Sequence, residues 1–414
     1  MIAPRLATGG LAIALAAGLS LPATLPEPTE PEVRGYFAPE PCIPGSSDTY
    51  QRGDVDLTGR EATSLLGVRA IQGTATGAGT RVAVLSTGVE PGNPAIQGAA
   101  VEPGVNLTEG SSALADPYGM GTALTSIIVG QNRSDARVTG LAPRATVVPV
   151  RVFLQPPDDL ASPGYPIADV VADGVNQAID QNVDVILVGV ALPYGSPALE
   201  QAVTRAEGAG IVVVAPAGDI LDESDAESFD NPRYPAAYPT VLSVGAVNSN
   251  AGASDRTLRA ESVNVAAPGQ NVVVANGQRG TCIASTGQTQ TVYSAAFAAA
   301  AAASLISEFP DENPEQIRFR LEVTGVRVTD TQSSAVGWGM IDLPNALAFI
   351  DDGTANGPQS PNTTPPEPTP VAGQEVPEPV PDPLRMTKPL SIAAGAVVAF
   401  GSLGLLVIAL RRRS

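Results

Sequence analysis

Acid–base chemistry at neutral pH is the first thing this sequence restricts, because its 414 residues include no histidine and one lysine, Lys388. Imidazole is the side chain that ordinarily takes and returns a proton near pH 7, and a lysine amine with a lowered pKa is the usual substitute. With Lys388 close to the C-terminus, a serine–lysine pair is excluded from the body of the chain. No glycine-rich phosphate loop and no Cys or His cluster occurs, so no cofactor and no metal is expected, and no calcium site is assigned. The net charge of −19, without a long basic run among the 22 arginines, excludes nucleic acid as a partner.

The two ends of the chain indicate where such chemistry would be carried out. Leu390 to Leu410 is an uncharged run of 21 residues, long enough to cross a hydrocarbon core as a helix, and Arg411, Arg412 and Arg413 follow it. Basic flanks stay cytoplasmic, so residues before Leu390 are expected outside, in a single-pass membrane protein with a cytoplasmic tail at 411–414. Residues 1–23 have the short positive end and apolar middle of a secretory signal peptide, with an uncleaved anchor as the alternative. Residues 24–40 form a leader rich in Pro and Glu, and residues 352–389 carry eleven prolines and read as an extended stalk. Cys42 and Cys282 then lie in an oxidising compartment and are expected to form a bridge, worth roughly 5 kcal/mol in the chain-entropy description; two buried thiols are the alternative.

Between leader and stalk, residues 41–351 read as one α/β domain. The runs at 81–86, 145–153, 183–190, 210–217 and 240–247 are rich in Val and Ile without polar alternation, as strands buried on both faces are. Helical spacing at 121–130, 166–181 and 196–209 separates them, which predicts a parallel sheet with helices on both faces. Asn276-Gly277 predicts a type I′ hairpin within 271–285, with Cys282 on its second strand. An alanine-rich helix over 294–309 and a further helix from Pro314 complete the domain.

Seven segments, in order, resemble the subtilisin-like serine proteases: VAVLSTGVEPGNPAIQG (82–98), DPYGMGTALTSIIVG (116–130), GLAPRATVVPVRVF (140–153), YPAAYPTVLSVGAV (234–247), NVAAPG (264–269), TVYSAAFAAAAAASLI (291–306) and GWGMIDLPNAL (337–347). Together with the leader, stalk and membrane span, they resemble the mycosins, membrane-anchored proteases of type VII secretion. The resemblance implies a subtilisin-like fold and type VII secretion subunits as partners. It also implies a serine oxygen that attacks, an imidazole that takes its proton, an aspartate that orients the imidazole and an oxyanion-binding asparagine.

At the matching positions this chain has Ser86 for the aspartate, Met120 for the histidine, Tyr293 for the serine and Asp219 for the asparagine. A thioether does not accept the proton, and an ionised carboxylate repels an oxyanion. Loss of a whole triad costs about 10⁶-fold in kcat, enough to end useful proteolysis. Catalytic residues are therefore expected to be none. Met120 reads as apolar filler, Tyr293 as a plug and Ser86 as a small residue at a strand end. Ser294, one residue beyond Tyr293, is the available substitute nucleophile, but it leaves the helix in another direction. The expected function is an inactive structural or regulatory part of type VII secretion. The alternatives are a protease with a non-standard site and a surface module holding a peptide or secreted protein in the old cleft.

Overall fold

The computed structural model describes residues 62–67, 73–110, 112–134, 136–154, 167–220, 232–278, 280–286 and 288–363. The signal peptide, leader, Cys42, the stalk from residue 364, the membrane span and the basic tail lie outside them.

A parallel sheet organises the body. Strands β1 (Arg81–Ser86), β2 (Ala100–Val101), β3 (Val105–Asn106), β6 (Thr146–Arg151), β7 (Val185–Val188), β8 (Val212–Pro216), β9 (Val241–Val247) and β10 (Val265–Pro268) belong to it. The order is β10-β9-β8-β7-β1-β6-β2, with β3 also paired to β6, and each of these pairings is parallel. Two antiparallel pairs stand apart: β4 (Gln131–Arg133) with β5 (Ala136–Thr139), and β11 (Val272–Ala275) with β12 (Thr281–Ala284).

The uninterrupted apolar runs follow from burial on both faces. In β1, Val82 and Val84 join one core cluster, whereas Ala83 and Leu85 join the other, as the two-residue period of a strand requires. The second cluster is closed by α3 (Ile167–Asp180) and α4 (Pro197–Gly208) through Val171, Val175, Leu199 and Val203. The first holds α2 (Met120–Val129) and α5 (Thr291–Glu308), with α1 (Ala62–Leu65) at its margin; α6 (Pro314–Val323) and α7 (Leu343–Ala348) also contribute to it.

Helix α5 is buried at every residue from Thr291 to Leu305. Its eight alanines keep it thin enough to lie close to β8, β9 and β10 on one side while α2 packs against it on another. This helix is long and apolar enough to span a bilayer by length and composition, yet most of it is interior to the body. It begins at Thr291, three residues earlier than the alanine pattern predicts, because Thr291 and Val292 are drawn into the buried first turn.

Two other expectations are corrected. The hairpin does not close with a two-residue type I′ turn at Asn276-Gly277. Ala275 pairs with Thr281, leaving residues 276–280 as a five-residue loop in which Gly277 and Gly280 take positive φ and Asn276 does not. Cys282 does lie on the second strand, buried.

Residues 352–363, read from composition as stalk, are instead part of the folded body. Asp351 accepts from Ser360 Oγ and from Asn362 Nδ2 (2.9 Å), Gln316 Nε2 donates to Asn362 Oδ1 (2.6 Å), and Arg327 donates to the Asn356 carbonyl. These partners come partly from α6, which no local composition reveals.

The burial pattern predicts unequal costs of truncation. Leu85→Ala, in the middle of the sheet, should cost about 2–5 kcal/mol, whereas Val328→Ala, fully exposed, should stay within about 0.5 kcal/mol. Urea midpoints of the two variants at constant m-value check this.

Candidate functional site

The positions singled out in the sequence lie at the carboxyl edge of the sheet and at the starts of two buried helices. Strand β1 ends at Ser86, which is completely buried, and its Oγ has no hydrogen-bond partner. The next residue reaches across: Thr87 Oγ1 donates to Asp116 Oδ1 (2.7 Å) and accepts from the Gly121 N–H (3.1 Å).

Asp116 is the centre of this corner. Its Oδ1 also accepts from the Gly119 N–H (2.8 Å), and its Oδ2 accepts from the Thr122 N–H (2.8 Å) and Thr122 Oγ1 (2.7 Å). Helix α2 needs that carboxylate, because its first residue is preceded by Gly119 in a left-handed conformation with no side chain to cap the helix. Burial pushes the Asp116 carboxyl above its ordinary range, while the Thr122 and Thr87 bonds pull it down. The corner closes tightly: a Cβ on Gly121 would come to 1.9 Å from the Gly88 carbonyl oxygen.

Met120 opens α2 and is buried in the first core cluster, which also contains Tyr293 from the first turn of α5. Tyr293 is fully buried, and its hydroxyl has no hydrogen-bond partner. Burial raises its phenol far above the ordinary value, and Tyr118 adds in the same direction.

At the other helix start, Gln290 supplies no side-chain cap to α5. Asp219 takes that part. Its carboxylate accepts from the Thr291 N–H at 3.0 and 3.2 Å and from Thr291 Oγ1 at 3.2 Å, and Thr291 Oγ1 in turn accepts from the Gly218 N–H at 3.2 Å. Burial pushes the Asp219 carboxyl up to about 7; the Thr291 hydrogen bonds, then Arg256 and Arg233, oppose the rise. The expected repulsion of an oxyanion therefore belongs to the ionised form above about pH 7. Below it, Asp219 is a neutral acid that can donate a hydrogen bond.

Ser294 is not free to act. It is fully buried, and its Oγ donates to the Ala267 carbonyl at 2.9 Å, toward β10. Among the described residues, no group of three or more His, Cys, Asp or Glu side chains is gathered to hold a metal ion. The structure thus joins Ser86 to Met120 through Thr87 and Asp116, and packs Met120 in one cluster with Tyr293, whose helix start is held by Asp219. Asp116, Thr87, Thr122 and Thr291 were not singled out in the sequence. The signal for Asp116 was present, since an aspartate precedes a glycine-flanked helix start with a threonine in its first turn.

Residues 77–339 match the Peptidase S8 family, the subtilases. The chain belongs to the subtilase family. Among its relatives, subtilisin DY of Bacillus licheniformis is 29% identical over 270 residues, covering 65% of this chain and 91% of that protein. Mycosin-1 of Mycobacterium tuberculosis is 30% identical over 445 residues, covering 95% of this chain and 93% of mycosin-1. Of solved structures, the MycP3 protease from the type VII (ESX-3) secretion system superposes with a TM-score of 0.61 at 26% identity, over 79% of this chain and 100% of that one. This subtilase is therefore mycosin-like along nearly its whole length, whereas its likeness to subtilisin DY covers about two thirds of it.

Two measurements test the electrostatics of this subtilase's site. Asp116→Ala strands the Gly119, Thr122 and Thr87 donors in the interior and should cost about 3–5 kcal/mol, read as a lowered urea midpoint. For Asp219 the native carboxyl keeps its proton up to about pH 7, whereas the unfolded chain releases it near 3.8. Its contribution to stability is thus fully present below the unfolded value and is lost as pH rises toward 7. Asp219→Asn should accordingly exceed the parent in stability by up to about 4 kcal/mol at pH 8, with the gain shrinking toward pH 4. Thermal melts across that range check the sign.

Proposed function

We propose that this subtilase is a catalytically inactive, mycosin-type component of type VII secretion, held at the outer face of the membrane by its C-terminal segment. Met120 at the start of α2, in a chain without histidine, carries the reading: the position that requires a proton acceptor holds a buried thioether.

The other positions support it. Ser86 offers no charge to stabilise an imidazolium, and Tyr293 is packed into the core with its hydroxyl away from solvent. Ser294, the one substitute nucleophile beside it, is committed to the Ala267 carbonyl, which disfavours a protease with a shifted serine. The peptide-groove alternative has no comparable observation in its favour.

The setting is supported by likeness and by sequence. Mycosin-1 aligns along nearly the full chain, and MycP3 belongs to a type VII secretion system, so subunits of such a system are the proposed partners. The sequence patterns read as a signal peptide at 1–23, a stalk, a span at 390–410 and a basic tail at 411–414 support a folded body outside, tethered by one helix. A Cys42–Cys282 bridge would tie the N-terminal extension to β12 in that oxidising space. A body that no longer cuts keeps what a tether and a rigid fold provide, a positioned surface.

The full chain, extracted in mild detergent, tests both halves of this reading. It should resist labelling by a fluorophosphonate serine probe and should copurify with type VII membrane subunits. Labelling that disappears in Ser294→Ala would overturn the inactive reading, and purification without those subunits would overturn the partner.

A further inference from the structure

The loop found in place of a two-residue hairpin turn begins with a reactive pair, Asn276-Gly277, half-buried between β11 and β12. Asparagine followed by glycine is the pairing in which a backbone nitrogen most easily reaches a side-chain amide, because glycine puts no Cβ in the way. The surroundings leave that approach open, since nothing lies within 4 Å of where a Cβ on Gly277 would stand. Among the described residues, neither the Asn276 side chain nor the Gly277 N–H has a hydrogen-bond partner.

We propose that Asn276 is a site of spontaneous deamidation, and that its conversion loosens the β11–β12 hairpin from the turn that follows β1. The Gly277 nitrogen, losing its proton to hydroxide, attacks Asn276 Cγ; the new C–N bond closes a five-membered imide as the Cγ–Nδ2 bond breaks and ammonia leaves. Water then opens the ring at either of its carbonyls. Opening at Cγ gives aspartate, whereas opening at the backbone carbonyl gives isoaspartate, whose main chain runs through Cγ and is one methylene longer. Water is the co-reactant, and nothing is oxidised or reduced. The inference concerns the backbone of this loop and stands whether or not the chain cuts peptides.

The consequence follows from what grips the loop. Asn93, wholly buried in the turn after β1, donates through Nδ2 to the carbonyls of Gly277 (2.7 Å) and Gly280 (3.0 Å), while its Oδ1 accepts from the Ala95 N–H (2.8 Å). Gln278 Nε2 adds a bond to Glu90 Oε2 (3.2 Å) in the same turn. A main chain lengthened at residue 276 carries the Gly277 carbonyl away from Asn93, and a buried amide then loses an acceptor.

A second Asn-Gly pair supplies the contrast. The Asn356 carbonyl, in the peptide plane that contains the Gly357 nitrogen, accepts from Arg327, and a Cβ on Gly357 would meet Arg327 Nη2 at 2.9 Å. A charged donor thus holds that plane, and its nitrogen cannot turn toward the Asn356 side chain without breaking the bond.

Peptide mapping of the full chain, incubated folded at pH 8, tests both parts. The peptide with Asn276 should gain about 1 Da and separate into aspartyl and isoaspartyl forms. It should do so about tenfold faster than the peptide with Asn356. Hydrogen exchange across 276–284 should then be faster in aged than in fresh protein, and should not change on ageing of Asn276→Gln, whose longer side chain does not close the five-membered ring. Conversion of Asn356 as fast as Asn276, or full conversion at Asn276 with unchanged exchange, overturns the proposal. Should the variant fail to fold, the fresh and aged forms of the parent still decide.

Discussion

A helix buried on all sides cannot leave its first N–H groups to water, and α5 is such a helix. The donors at its start must find acceptors inside the protein, at a cost of about 1–3 kcal/mol for each one left unmade. Asp219 meets part of that demand from the end of β8, a segment more than seventy residues earlier in the chain. The same solution appears at α2, whose start is held by Asp116. Because α2 and α5 both pack within the first core cluster, these two carboxylates fix where that half of the core sits on the sheet. A negative charge at a helix N-terminus is favoured by the peptide dipoles, so the arrangement partly offsets the desolvation that burial imposes. What remains uncompensated raises both carboxyl pKa values.

The parallel sheet was legible because burial on both faces removes polar residues from a strand altogether. The runs at 81–86 and 240–247 contain nothing that a solvated face would require, and they became β1 and β9 with at most one residue trimmed. The alternation of helices between them left a parallel order as the economical topology. The hairpin was harder. Asn-Gly favours a two-residue turn, yet Asn93 Nδ2 donates to the carbonyls of Gly277 and Gly280 at 2.7 and 3.0 Å, and this tertiary contact holds a wider loop. Residues 352–363 escaped for a related reason: proline and aspartate there suggest a spacer, and the side chains that fold the segment back, Gln316 and Arg327, lie on α6 or just beyond it.

The site was legible in position more than in interaction. Ser86, Met120, Tyr293 and Asp219 were found because each stands inside a recognisable segment at a fixed offset. Their surroundings were not, since no pattern announces that Asp219 accepts from Thr291 or that Asp116 gathers four donors. A sequence read residue by residue assigns Asp219 an ordinary charge; only its burial turns that charge into a neutral acid below about pH 7.

A catalytic site must keep its reacting groups reachable, and that requirement conflicts with packing. A nucleophile, its base and an oxyanion donor need space for substrate between them, so the starts of their helices cannot be closed by apolar bulk. In the proposed reading that conflict is gone. Met120 and Tyr293 fill with side chains what an enzyme leaves open, and two helix starts that would face a substrate are joined to the core. The residue of the conflict is the polar atoms that packing could not satisfy. Ser86 Oγ and Tyr293 Oη are buried without partners, each a local loss that dense apolar contact around it must outweigh.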